Sequence, residues 1–507
     1  VKDWWTRIII LALLAIVLGV PFVFKPSGHS DAASGNVERL VIVSPHNEQI
    51  RFEFESGFNR YRASAGKTPV DIDWRSSGGT SDLRKMVIAE YEAKAEENAV
   101  DEGIGVDLFF GGGDYEHGKL ASGVKTQKDG ETVKVAITIP IELPDGLLEK
   151  AYPSDMIGGE RLYHRNLSWV GVALSSFGIV YNRDVLNMIG VQEPKTWADL
   201  KDGRYVGWLA LADPAHSGSL AATYNTILRR NGWNEGWALL RRVFANARYF
   251  TSSAGKVPVD VSAGEAAAGM CIDFYGRYQS GAIGGDRVGY VDPINMTAIT
   301  ADPITILHGA PNAPLANEFI VWLLSEQSQR LWQRRMGVPG GPERFELRRL
   351  PIRHDMYNEE EMAQWKDHVK PFEITQPFPK AMPNFYGTVA PVAHAMAIDI
   401  HSELQAAWIA IVRNPHHPNR KKMLELFDAM PEPLMLTWPD KELADEWPKA
   451  LGDPSHTRHK DAAATLKQFM DALNKRWKDS DQQLKDRLEW TLFFRGNYRE
   501  IVRLASL

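Results

Sequence analysis

Residues 70–87 read VDIDWRSSGGTSDLRKMV, and the change of period inside this stretch decides the fold class. Val70, Ile72 and Trp74 alternate as on a half-buried strand, whereas Leu83, Met86, Val87 and Tyr91 recur at helical spacing. Between them lie Ser76, Ser77, Gly78, Gly79, Thr80 and Ser81, six small residues rich in hydroxyls. The same strand–loop–helix order precedes it in RLVIVSPHNEQIRFEFESGFNRY (39–61) and follows it in GVDLFFGGGDYEHGKLA (105–121). Three such units in series predict an α/β sheet with parallel strands, and in such sheets ligands sit outside the carboxyl ends of the strands.

Further along, KTQKDGETVKVAITI (125–139) predicts a hairpin turning at Lys-Asp-Gly. LSWVGVALSSFGIVYNRDVL (167–186) predicts a strand leading into a new region, which then offers strands at Val206–Leu211 and Met270–Phe274 and a helix from about Ser219. A long amphipathic helix is expected from about Leu315 to Gln333. Beyond Tyr357 strand signals vanish and helical periodicity takes over.

Composition narrows the function. The formal net charge of −6 disfavours nucleic acid as a partner, because phosphate backbones call for a basic surface. The single cysteine, Cys271, excludes an internal disulfide framework and a cysteine-rich metal site. Ile8–Phe24 is uncharged, follows Lys2 and Arg7, and lies near the lower limit of the roughly 17–25 residues that span a bilayer. An uncleaved N-terminal anchor is the favoured reading and a cleaved export signal its competitor; either puts the remainder in the periplasm or another extracytoplasmic space. No cysteine follows the run, so a lipid anchor is not expected.

Several phrases in fixed order resemble the extracellular solute-binding proteins of ABC importers, in the group containing ferric-iron, sugar-phosphate and phosphonate binders. They are SFGIVYNRDVL (176–186), PKTWADLKDGRYVGWLALADPAHSGS (194–219), VSAGEAAAGMCIDF (261–274) and APNAPLANEFIVWLLSEQSQ (310–329). The resemblance spans Leu40 to Asp355. It implies a two-lobed periplasmic-binding-protein fold of type II, with solute held in the cleft by hinge closure, delivery to a membrane permease, and no catalysis or cofactor. On this reading residues 1–25 are the signal or anchor, 26–36 a linker and 37–425 the two-lobed domain. Lobe one takes about 37–145 and 280–425, lobe two about 150–275, and 426–507 form a helical C-terminal extension.

Candidate ligand-binding residues follow from the loops. In lobe one they are Ser44, His46, Ser76–Ser81 and Asp114, each set after a strand. Helix N-termini lined by small residues suit an anion, although glycines and hydroxyls also serve as turns and N-caps, and Ser81 could be a cap alone. In lobe two, Ser217, Gly218 and Ser219 open a helix; the resemblance implies anion contacts there and at Ser253. Where iron-binding relatives place adjacent tyrosines, this chain has Asp273, Phe274, Tyr275, Gly276 and Arg277. One phenolate serves ferric iron poorly, so metal ligands are not expected, with His46 and Tyr275 the residues nearest to that pattern. Arg277 offers a fork for phosphate or carboxylate and Asp273 an acceptor for amines or hydroxyls.

A small anionic solute, phosphorylated or phosphonate, is therefore the expected ligand, with ferric iron plus a synergistic anion second and a membrane-anchored ligand sensor third. No Gly-x-Ser-x-Gly, His-Glu-x-x-His or Walker motif points to an enzyme. His394 and His401, with His416 and His417 after them, are read as core or surface histidines rather than metal ligands.

Overall fold

The chain is described by a computed structural model that covers Trp4 and residues 37–507, apart from Ser77, Asp129, Gly130, Gly284 and Lys478. Ile8–Phe24 and the linker lie outside the described residues. Among the described residues no helix is long and apolar enough to cross a membrane.

Two mixed sheets organise the molecule. In the first, Glu38–Val43 lies between Val70–Arg75 and Leu108–Phe110 and is parallel to both, as the repeated strand–loop–helix units predict. Thr300–Leu307 then runs antiparallel beside Leu108–Phe110, followed by Val170–Ser175 and Leu350–Pro351. The second sheet has the order Ala247–Thr251, Leu209–Ala212, Ala268–Ile272, Phe177–Asn182, Val288–Val291. Its first three strands are parallel, and Phe177–Asn182 is antiparallel to its neighbours. Every residue of Val170–Ser175 and Phe177–Asn182 is buried, which is why that stretch reads as a continuous apolar run. It is two strands in two sheets, separated by Ser176 alone.

Local differences from the sequence reading have local causes. The hairpin forms as Val124–Lys128 against Glu131–Val135. The expected helix over 315–333 breaks into Ala313–Leu323 and Glu326–Gln333, because extended Ser325 caps the second piece, its hydroxyl accepting from the Ser328 N–H at 3.2 Å. The strand expected to reach Phe274 ends at Ile272, and Asp273 opens the helix Asp273–Ile283.

The larger difference is the placement of the C-terminal helices. The sequence reading groups residues up to 425 with the first lobe and sets 426–507 apart. In the structure one continuous core joins the second sheet to Phe385, Val392, Met396, Leu404, Phe427, Leu466 and Phe494. The indole N–H of Trp233 donates to Leu434 O at 2.7 Å, and Phe469 packs edge-on against its ring. Arg241, only 1 % exposed, lies over the rings of Phe427 and Phe494 and donates to Ala429 O at 3.1 Å. A second lobe with so many apolar side chains on its outer face needs this helical layer to keep them from water.

His394 has the same structural role. Its ring contacts Asp213 at 3.0 Å and Asp399 at 2.9 Å, and Arg487 of the helix Ser480–Ala505 binds the same Asp399 at 2.7 Å. His401 contacts Phe244 O at 3.1 Å. Among the described residues no three His, Cys, Asp or Glu side chains gather as a metal site.

Two measurements check this packing. Phe494→Ala should cost about 3–5 kcal/mol, the usual range for emptying a buried aromatic site, within a single cooperative urea transition. An independent early transition for the C-terminal helices would contradict the shared core. Burial lowers the proton affinity of His394, but Asp213 and Asp399 outweigh it and hold the ring above its ordinary value of 6.5. Its ion pairs therefore stabilise fully below about pH 6.5 and fade as pH rises through the higher folded value. His394→Gln should accordingly lose most stability at mildly acidic pH and progressively less above neutrality.

Candidate functional site: a closed cleft between the sheets

The parallel strands of the first sheet deliver their loops to one edge. Opposite them, Leu209–Ala212 leads to Ser217–Ser219 and Ala247–Thr251 leads to Ser253. Between the two sets lies a cavity of about 120 Å³, counted as space open to the centres of water molecules. That is room for about four waters at liquid density, the scale of a small solute.

Helix N-termini converge on this cavity. Gly78–Thr80 open the helix Thr80–Glu96, Gly113 and Asp114 open Asp114–Ala121, and Gly218 and Ser219 open Gly218–Asn231; all line the wall. Gly79 and Gly113 are N-caps without a side-chain cap, so the first amides of those helices lack that partner. Ser217, in contrast, accepts from Leu220 N–H at 3.3 Å.

The two sides touch. A Cβ at Gly79 would stand 2.2 Å from the carbonyl oxygen of His216 in the second lobe. Gly79 has an ordinary φ of −79°, so the approach of the opposite backbone, not a strained conformation, calls for glycine. Beside it, His216 contacts Asp82 at 3.0 Å and the Lys85 ammonium donates to Ala215 O at 3.1 Å. The cleft is closed.

Its walls hold buried charge. His46 Nε2 lies 2.9 Å from Asp302, which Arg349 also pairs at 3.0 Å. Burial would raise Asp302, yet Arg349 and His46 hold it below the usual carboxylate range. Burial lowers the proton affinity of His46 although Asp302 opposes it, Arg349 also approaches its Nε2 at 3.2 Å, and Nδ1 is buried without a hydrogen-bond partner. On the other side burial pushes Asp114, Glu116 and Glu160 upward. Glu160 is ion-paired with Arg229 of the second lobe, and Glu116 accepts the Tyr386 hydroxyl at 2.6 Å. The cavity wall thus carries uncapped amides and buried carboxyl groups together, and Glu116 Oε1 stands 3.3 Å from where a Cβ on Gly218 would lie.

Of the residues singled out from sequence, His46, Gly78, Gly79, Thr80 and Asp114 line the cavity from the first lobe, and Ser217, Gly218, Ser219, Ser253 and Tyr275 from the second. Ser44 stands behind the wall, its hydroxyl accepting from His46 N–H at 3.1 Å. Ser76 is exposed and off the wall, and Ser77 lies outside the described residues. Ser81 is buried one residue into the helix that Gly79 caps and faces a neighbouring groove. Asp273 and Arg277 sit behind the cleft where the chain crosses between sheets: Arg277 pairs with Asp292, and burial pushes Asp273 up to about 7. Sequence reasoning missed Glu116, Glu160, Asp302, Arg349 and Tyr386. Glu116 was within reach, two residues past Asp114 in a loop already singled out, whereas the other four come from segments with no local signature.

Residues 149–365 match the sequence model of a family described as bacterial extracellular solute-binding protein. A 162-residue stretch is 27% identical to a phosphoglycerate transport regulatory protein of Salmonella typhimurium, covering 32% of this chain and 40% of that one. A 167-residue stretch is 31% identical to an uncharacterized protein of Haemophilus influenzae, covering 32% and 47%. The matched stretch thus spans less than half the length of either curated relative. A periplasmic binding protein from Actinobacillus pleuropneumoniae, solved with exogenous fructose-6-phosphate bound, aligns with TM-score 0.52 at 16% identity, over 74% of this chain and 99% of that one. Apo ferric ion-binding protein A of Pasteurella haemolytica aligns with TM-score 0.50 at 13% identity, over 72% and 100%. At these identities the structural likeness is one of fold. The resemblance to extracellular solute-binding proteins is borne out: residues 149–365 carry the family match, and the chain has the mixed α/β fold that sugar-phosphate and ferric-iron binders share.

Proposed function

We propose that the chain is the extracytoplasmic solute-binding component of an ABC importer, and that it captures a small phosphorylated or phosphonate solute by closure of the two lobes. The observation that carries this reading is the pair of helix N-termini, at Thr80 and at Gly218, that line one closed cavity. The helix at Thr80 presents amides uncapped by any side chain, and the helix at Gly218 faces it across the closed cleft. Two N-terminal dipoles and their free N–H groups suit an anion. The third helix begins with a carboxylate of its own, Asp114, which with Glu160 supplies acceptors. The solute therefore carries hydrogen-bond donors, hydroxyl or ammonium, in addition to its phosphate. The relative named for phosphoglycerate transport and the fold neighbour bound to fructose-6-phosphate agree with this class. The permease partner follows from the family resemblance, as does the extracytoplasmic location.

Ferric iron has less support. Tyr275 and Tyr386 both line the cavity, but the Tyr386 hydroxyl is committed to Glu116.

A thermal-shift series with fructose-6-phosphate, 3-phosphoglycerate, 2-aminoethylphosphonate and ferric iron with carbonate tests the proposal. A matching phosphate or phosphonate at one hundred times its Kd should stabilise by about 2.7 kcal/mol, and its dephosphorylated counterpart should not. No response to any phosphate or phosphonate, with a visible phenolate-to-iron band on adding iron, would overturn it. Gly79→Val should abolish the ligand-induced rise while the unliganded melting temperature stays within a few degrees, because the added carbons meet His216 O in the closed cleft and the lobes can part to relieve the clash without unfolding.

A further inference from the structure

The helical C-terminal part reaches into the cleft. Tyr386 opens the helix Tyr386–Ala393, whose Val389, Val392 and Ala393 are fully buried in the core of the second sheet. From that footing the side chain spans to the first lobe. Its hydroxyl donates to Glu116 Oε1 at 2.6 Å and its ring stacks on Tyr115 with centroids 4.1 Å apart. The same hydroxyl lies 3.2 Å from Gly218 O, beside the helix N-terminus that faces Thr80. Asn384, two residues earlier, also lines the cavity. Both residues fall beyond 149–365, the stretch that matches the solute-binding family.

We propose that Tyr386 and Asn384 form a third wall of the solute cleft, supplied by the C-terminal helices, and that Tyr386 is the positioning residue that holds Glu116 in the closed state. The physical reason is the cost of burying a carboxyl group. Glu116 is 1 % exposed in the closed cleft, and Tyr386 supplies its donor. When the lobes part, water replaces that donor; when they close without it, an acceptor is buried unsatisfied. Arg84 and Lys119 lie over the Tyr115 ring, so the stacked pair has a polar, cationic outer side and the wall closes toward the solute rather than opening to solvent. Closure, and with it solute affinity, depends on a residue of the C-terminal helices, beyond the stretch that matches the family. This wall rests on the reading of the cavity as a solute site, but its contacts stand without any solute.

The test uses the full chain and two readouts. In the first, Tyr386→Phe, Glu116→Ala and the double variant are titrated with 3-phosphoglycerate, or with whichever phosphate stabilises the wild type. Each single change should raise Kd on the order of tenfold, the usual worth of a hydrogen bond to a charged partner, and the double no more than either single. Multiplying effects in the double variant, or wild-type affinity in Tyr386→Phe, would overturn the proposal. In the second, small-angle scattering without solute should show a larger radius of gyration for Tyr386→Ala and Tyr386→Phe than for wild type; identical radii would overturn it. If no phosphate binds the wild type, the function reading fails while scattering still decides the wall. Phe keeps the ring packing, so a fold lost in Tyr386→Ala leaves Tyr386→Phe as the deciding variant.

Discussion

One residue, Ser176, separates a strand of the first sheet from a strand of the second, and the arrangement of the cleft depends on that crossing. Its hydroxyl donates to Asp292 at 2.5 Å and its carbonyl accepts from Asp273 N–H at 3.0 Å. Asp292 also takes the Tyr290 hydroxyl at 2.9 Å and pairs with Arg277. The chain crosses back between Val291 and Thr300 through a turn at 294–296, so two connections tied to one buried polar cluster join the lobes. Because each sheet is fixed at this seam, the strand ends of both face the same gap. A third connection runs from the first sheet past Phe378, whose ring lies under the guanidinium groups of Arg229 and Arg230, into the C-terminal helices. Phe378 thus binds the returning chain to the helix whose N-terminus lines the cleft.

The gap itself is governed by the opposition of backbone dipoles and buried acids. A helix N-terminus bears roughly half a positive charge, and the N-termini at Thr80 and Gly218 face one small volume. In the same walls the carboxyls of Asp114, Glu116 and Glu160 are raised by burial, so they favour a neutral or cationic donor over a second anion. Among the described residues that line the cavity, the arginine and the histidine, Arg349 and His46, are already engaged with Asp302. Positive charge for a bound anion therefore comes mainly from amides, which are rigid and need no reorganisation on binding.

How much of this the sequence revealed depended on whether the information was local. The parallel strands ending at Val43, Arg75 and Phe110 were legible because strand, small-residue loop and helix follow one another within some twenty residues. The loops 76–81 and 217–219 were legible for the same reason, although Gly79, not a serine, proves to be the cap, and its glycine answers to His216 from a distant part of the chain. Arg277 read as a ligand contact because a guanidinium suits an anion, and Asp273 because a carboxylate suits amines or hydroxyls, but the strand stops at Ile272 and the new helix turns them toward the seam. Glu160, Asp302, Arg349 and Tyr386 meet only through tertiary folding, and no spacing announces them. The C-terminal helices showed their amphipathic period plainly; what the period could not say was that the apolar face belongs to the second sheet.

The central claim is that a phosphate is held by the amides of the facing helix N-termini. Hydrogen–deuterium exchange of the full chain, with and without a stabilising phosphorylated solute, tests it most directly. The account predicts that the amides of residues 79–83 and 217–221 slow together while those of the two sheets are unchanged. Stabilisation by the solute with unaltered exchange in both segments, or protection confined to the C-terminal helices, would contradict it.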